Sequence, residues 1–175
     1  MRLLSPILFI IAVFFAFPCF AQTENPDLDF SCVARKFDQD VNRGTGEGGV
    51  AVTKESWGYV VTLENKTFKD MEGLEVKYII FFRQETLGSK AAARLGRKSG
   101  SNTIDSIKAH DKTTFDTENV ELKQTRLIGN YIFMNGAKPN AEGRLAGLWV
   151  RVYQQGKLLA ELCRPPQLSS KEKWE

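Results

Sequence analysis

His110 is the only histidine in the chain, so any reaction that needs an imidazole would have to run through it. It stands in Lys108-Ala109-His110-Asp111-Lys112. Asp111 is a neighbour in sequence, which does not make it an orienting partner, and no Gly-x-Ser-x-Gly elbow supplies a nucleophile. The expected reading is a surface-loop histidine. Asp38-Gln39-Asp40 and Asp116-Thr117-Glu118 would offer hard oxygens to calcium, but neither has the ligand spacing of a calcium loop, and solvated turns account for both. Glycoside hydrolysis needs two carboxyl groups facing each other across a cleft. The acids here mostly alternate with apolar residues, which puts them on outer strand faces, so an unrecognised carboxylate pair ranks last among the functional readings. Gly44-Thr45-Gly46-Glu47-Gly48-Gly49 is glycine-dense, yet it lacks the Lys-Ser/Thr and the helix that a phosphate loop requires. Asn65-Lys66-Thr67 fits the glycosylation pattern. The expectation is a protein that is not an enzyme and carries no cofactor and no metal.

Two sets of residues are suited to binding instead. Lys90, Arg94, Arg97 and Lys98, with Arg83 close by, set five cations against the single acid Glu85, so the segment could meet an anionic glycan, a lipid head group or an acidic partner, or be only a solvated positive face. Trp149, Arg151 and Tyr153 alternate with Leu148, Val150 and Val152. If the aliphatic residues face the core, an aromatic-Arg-aromatic row of the kind enriched at binding hot spots is exposed; with the faces reversed, Trp149 is a core tryptophan.

The composition narrows the classes these residues can serve. The 24 basic and 21 acidic residues give a net charge of only +3, too small for a nucleic-acid footprint spread over the whole surface. With 42% hydrophobic and 26% charged residues, the chain has ordinary globular usage and is long enough for one domain with a real core. Arg2, the apolar run Ile7–Phe17 and the small residues Cys19 and Ala21 read as a signal peptide over 1–21, cleaved after Ala21. The run is too short for a membrane span, so none is expected after cleavage. An exported, periplasmic or cell-surface protein follows. Cleavage leaves Cys32 and Cys163, and an oxidising compartment favours a disulfide between them, the alternative being two buried free thiols. Such a bridge would restrict the unfolded chain by about 4 to 5 kcal/mol.

These groups must be positioned by strands, because from Asp29 onward the sequence alternates at period two between Gly, Asn and Asp punctuation. Val50 and Val52, then after a turn Trp57, Tyr59, Val61 and Leu63, are expected to point the same way. Leu74–Phe82 reads as a central strand covered on both faces towards its end, since Ile79 and Phe81 join the inward-facing set. Phe115–Leu122 and Ile128–Met134 read as short strands, with Tyr131 and Phe133 sharing a face. A hairpin turns at Gln154-Gln155-Gly156-Lys157 and its second arm stops at Arg164-Pro165-Pro166. Ser89–Lys98, rich in Ala and basic residues, is expected to be a short helix or turn. The layout is a signal peptide at 1–21, a linker at 22–28, one domain at 29–164 and a polar, frayed tail at 165–175. Seven to nine short strands with at most one short helix predict an all-β fold, two antiparallel sheets packed face to face.

Tyr59–Asn65, Leu74–Arg83 and Gly147–Lys157 resemble successive strands of a bacterial immunoglobulin-like or fibronectin-type sandwich. The cysteines depart from the antibody-type placement. The layout is also similar to small exported sandwich proteins of surface appendages such as pili. That resemblance implies an immunoglobulin-like β-sandwich and an envelope location, and it transfers no site residues. The expected function is a non-catalytic exported binding module, a component or accessory of a pilus-like or adhesive cell-surface or periplasmic assembly. It would act on a protein partner in the envelope or a surface appendage, with Trp149, Arg151, Tyr153, Lys90, Arg94, Arg97 and Lys98 as candidate binding residues. The alternative is a secreted glycan-binding module, with an anionic glycan as ligand. Nucleic acid is not an expected partner.

Overall fold

The computed structural model describes residues 25–43, 49–130 and 132–174. The expected signal peptide at 1–21, residues 22–24 of the expected linker and the glycine-dense segment 44–48 lie outside the described residues. Among the described residues, nine strands and one short helix follow in the order β1 (Leu28–Arg43), β2 (Val50–Asn65), β3 (Met71–Gln84), β4 (Arg94–Ile107), β5 (Lys112–Asp116), β6 (Val120–Leu127), β7 (Asn140–Ala141), β8 (Gly143–Gln154), β9 (Lys157–Arg164) and α1 (Gln167–Lys171). The first sheet runs β1-β2-β6-β7, with β5 also on β2; the second runs β4-β3-β8-β9. Every pairing is antiparallel. The chain is an all-β sandwich, as its alternation predicts, and of the immunoglobulin-like kind that the resemblance implies.

Alternation decides what is buried. Leu74, Val76, Tyr78 and Ile80 of β3 meet Val61 and Leu63 of β2, Val120 and Leu122 of β6, and Leu148, Val150 and Val152 of β8 in the interior between the sheets. β3 lies inside its sheet, between β4 and β8, and its outward Ile79 and Phe81 are buried as well, as the sequence predicted. They form a second apolar cluster with Trp149, Cys163 and Leu168 on the outer face of the second sheet. The β8–β9 hairpin turns where expected, with Gln155 (φ 51°) and Gly156 (φ 76°) both left-handed, as a two-residue turn of this type demands.

Several local expectations are corrected by long-range pairing. No turn separates Val52 from Trp57: β2 is continuous through 16 residues, which puts Val50 and Val52 on the face opposite Trp57 and Tyr59. Ser89–Lys98 is not helical, because Arg94 onward becomes strand β4 and supplies the edge partner that β3 needs. A Cβ at Gly96 or Gly100 would overlap the rings of Phe82 and Tyr78, so these two glycines let the neighbouring rings lie across the strand. No strand forms among the described residues of Ile128–Met134. The tail is not frayed in this structure, since Gln167–Lys171 is helical and Leu168 is buried in the outer cluster.

The end of β2 holds a polar core residue. Asn65 is 0% exposed. Its Nδ2 donates to the carbonyls of Lys69 (2.8 Å), Ile107 (3.1 Å) and Lys108 (3.1 Å), while its Oδ1 accepts from the Thr67 N–H (2.9 Å) and hydroxyl (2.7 Å). The glycosylation-like triplet is therefore a packed junction that ties the two sheets together, and the folded protein offers no free amide there.

Candidate functional site

Trp149, Arg151 and Tyr153 do share the outer face of β8, with Leu148, Val150 and Val152 turned into the interior. The row is nevertheless not an open one. Trp149 is only 5% exposed, because the tail folds back over it and the Trp174 ring meets it edge to face with centroids 5.3 Å apart. Neither alternative for this tryptophan holds: it faces outward and is still buried. Arg151 lies 5.2 Å from the Trp149 centroid and 4.3 Å from that of Trp174. Glu161, across the strand pair on β9, accepts from Trp149 Nε1 (2.6 Å) and Arg151 Nε (2.7 Å). One carboxylate thus satisfies two donors, and the aromatic-Arg-aromatic pattern becomes the seat of the C-terminal segment. Tyr153 is half-buried, with Lys77 Nζ 5.3 Å from its centroid.

The five cations read as one set are dispersed by strand geometry, because neighbours in sequence on a strand point to opposite faces. Arg97 pairs with Phe81 and is therefore outward; its Nη1 donates to the Lys173 carbonyl at 3.3 Å. Lys98 pairs with Ile80, faces the other way, and is held by Glu118 (3.0 Å) and the Asn119 carbonyl (2.9 Å). Arg94 sits opposite Gln84, whose amide reaches inward to Lys123, so Arg94 also leaves the outer face. Lys90 lies in the preceding loop and lines a hollow of about 430 Å³ with Glu85, Ser89 and Lys138. Only Arg83 and Arg97 remain together, and a residue that the sequence reading missed joins them. Arg144 of β8 is directly opposite Arg83, brought there by a register shift in β8 between Gly147 and Leu145. Nothing local in the sequence marks that pairing.

In this structure the two cysteines are free thiols, so the expected bridge is not seen. Cys32 packs against the interior cluster, while Cys163, opposite Trp149, packs in the outer cluster with its Sγ 3.6 Å from the Pro165 carbonyl. Cys32 points from the first sheet into the interior while Cys163 points out of the second sheet, and a disulfide needs β-carbons that face each other. Burial raises both thiol pKa values, with the Arg164 charge opposing the effect at Cys32. The native protein should therefore leave Cys163 unmodified by iodoacetamide at neutral pH, and both residues should be alkylated, without reductant, once denaturant is added. Peptide mass mapping reads the result; a Cys32–Cys163 linked peptide would restore the bridge.

The remaining feature is the side of the sandwich where β1, the edge of the first sheet, meets β9, the edge of the second. A cleft of about 710 Å³ opens there, lined by Leu28, Asp29, Phe30 and Lys66 on one side and Glu161–Pro166 on the other. Asn25 Nδ2 reaches across to the Leu159 carbonyl at 3.1 Å. β1 is 16 residues long, is paired on one side only among the described residues, and leaves Val33 61% exposed. The other edges are blunted: β7 has two residues, β9 is interrupted by a register shift and ends at Pro165-Pro166, and β4 is rich in glycine and cations. His110 sits in the turn before β5 with φ 58°, its ring 4.5 Å from that of Phe68.

Among the described residues, no helix is long and apolar enough to cross a membrane. No family model matches the chain, and no curated protein matches it. Among solved structures, it is similar to a protein from Akkermansia muciniphila at 10% identity and a TM-score of 0.31, over 87% of this chain and 79% of that one. So low an overlap carries no function across.

Proposed function

We propose that the protein is an exported, non-catalytic binding module, a component or accessory of a bacterial cell-surface or periplasmic assembly, and that it takes its protein partner along strand β1. The observation that carries this reading is the side of β1 left unpaired among the described residues, beside the cleft between the β1 and β9 edges. An extended segment of a partner would pair its main chain with the regular stretch Leu28–Lys36, ahead of the irregularity at Phe37, and place alternate side chains in the cleft. Main-chain pairing supplies affinity, and the Leu28, Phe30 and Leu162 walls supply side-chain selectivity. The alternating strands, the signal-peptide pattern and the lack of a complete catalytic constellation in the sequence support the same reading.

Photo-cross-linking in the producing cells tests it. A photoreactive residue at Val33 should give a discrete adduct with an envelope protein, and Ala34→Pro should abolish that adduct by disrupting the edge. The same probe at Thr114, an exposed site on β5 away from this edge, should give none. Equal adducts from both sites, or none from Val33, would overturn the proposal.

A further inference from the structure

The outer face of the second sheet carries an arginine cluster whose one hydrogen bond within the described residues runs from Arg97 to the Lys173 carbonyl of the tail. Arg83 and Arg144 are direct cross-strand partners on that face, and Arg97 is one pair further along β4. Like charges set directly opposite each other across strands destabilise a sheet. Among the described residues, none of the three is in an ion pair, although nine ion pairs serve Lys36, Lys54, Lys66, Lys77, Lys98, Lys112, Lys123 and Arg151. All three side chains are exposed. The same face continues along β4 through Ser99 and Ser101, which with Lys77 and Trp174 line a shallow hollow of about 330 Å³.

We propose that this face binds an acidic polysaccharide, its sulfate or carboxylate groups held by Arg83, Arg97 and Arg144 and a neighbouring sugar ring set against Trp174 and the serine hydroxyls. Guanidinium forks match planar and tetrahedral oxyanions bidentately. Alternate residues of β4 present Arg97, Ser99 and Ser101 about 7 Å apart along a straight line, which suits an extended polymer better than a compact ion. A bilayer surface fits less well. The large apolar groups of this face, Ile79, Phe81 and Trp149, lie beneath the tail, and its exposed leucines, Leu95 (40%) on β4 and Leu158 (44%) opposite Tyr153 on β9, stand on the two opposite edge strands rather than in one patch that could insert. The site is separate from the β1 edge, so it stands or falls independently of the protein contact.

The test is retention of the intact protein on immobilised heparin and polygalacturonate, with neutral dextran as the uncharged reference, across a series of salt concentrations. Retention on both acidic polymers, declining with salt, and none on dextran is expected. The triple variant Arg83→Gln/Arg97→Gln/Arg144→Gln should bind at least about tenfold more weakly, the loss that follows from removing charge-assisted contacts. A charge-matched triple on the first sheet, Arg35→Gln/Lys123→Gln/Arg126→Gln, should change binding by less than about twofold, since exposed charges elsewhere act only through screened long-range attraction. In the double variant Arg83→Gln/Arg144→Gln, which keeps the hydrogen bond from Arg97 to the tail, removing the Arg83–Arg144 repulsion should leave Tm unchanged or higher, which arginines serving the fold would not allow. Equal losses in the two triples would overturn the proposal, as would a lowered Tm in the Arg83→Gln/Arg144→Gln double. Capture by phosphatidylglycerol vesicles or duplex DNA as strong as capture by heparin would overturn the assignment to a polysaccharide.

Discussion

Asn65→Asp is expected to lower unfolding stability by roughly 3 kcal/mol or more at pH 7, although it changes a single terminal NH2 to oxygen. The Asn65 amide feeds three main-chain carbonyls, those of Lys69, Ile107 and Lys108, in a fully buried site. A carboxylate would direct negative charge at the same three oxygens and donate nothing. Protonation would restore one donor, so burial and these carbonyls should hold the new carboxyl well above its unfolded pKa. An acid whose folded pKa is raised loses stability as pH climbs from the unfolded value through the folded one. The deficit of Asn65→Asp should accordingly be smaller at pH 4 than at pH 7. Asn65→Ala should cost about 2 to 3 kcal/mol at both pH values, because it leaves the same carbonyls and the Thr67 groups unpaired without adding charge. Urea unfolding of the three proteins at the two pH values decides the matter. An Asp variant within about 0.5 kcal/mol of the parent would mean the junction is not closed to water.

Asn65 also shows what the sequence made legible and what it hid. Residues 57, 59, 61 and 63 are inward by alternation, and Asn65 continues that parity, so its burial was readable. The Asn-Lys-Thr triplet drew attention to a surface chemistry instead. The sandwich, the β8–β9 hairpin and the double burial of β3 were legible because each is written within a few residues: Leu148 against Trp149, Gly156 at the turn, Ile79 and Phe81 added to an alternating run. What failed depends on partners distant in sequence. Ala91–Ala93 and the basic residues after them favour helix locally, yet β3 requires a strand beside it and the Phe82 and Tyr78 rings need Gly96 and Gly100 beneath them. The register that sets Arg144 opposite Arg83 passes through an irregularity in β8, so the arginine face could not be assembled from spacing. Compartment and count favour pairing the cysteines, whereas the direction each one faces, Cys32 inward from β1 and Cys163 outward opposite Trp149, is set by registers that spacing does not report.

Ending the chain at Pro166 should remove the cover of the outer cluster, and a single methyl group at Gly147 should reproduce much of the effect. α1 has five residues, too short to be stable alone, so its place depends on Leu168 and on the packing of Trp174 against Trp149 and Arg151. A Cβ at Gly147 would overlap the Arg164 carbonyl and the Leu168 side chain. Gly147→Ala therefore blocks the seat while leaving the tail in the chain. Burial of Leu168 is worth about 1.5 to 3 kcal/mol, and the aromatic and cation–π contacts of Trp174 add about 1 to 3 kcal/mol. Ordering the tail offsets part of that gain, so the truncation should lose roughly 2 to 4 kcal/mol. Two local signals separate an uncovered face from general weakening: Trp149 emission should shift to the red, and Cys163 should become reactive to iodoacetamide while the protein is still folded. Both should appear in the truncation and in Gly147→Ala. In Phe81→Ala, which hollows the cluster beneath an intact tail, stability should fall by about 3 to 5 kcal/mol, with Cys163 still protected below the transition. A truncated protein with unchanged Tm and unshifted emission would show that the tail adds nothing to the sheet it lies on. If the losses appear as stated, the last residues of the chain do two jobs. They close the apolar half of the outer face, and through Trp174 they furnish one wall of the hollow beside the arginines, so that the polar half is the part left open for a ligand.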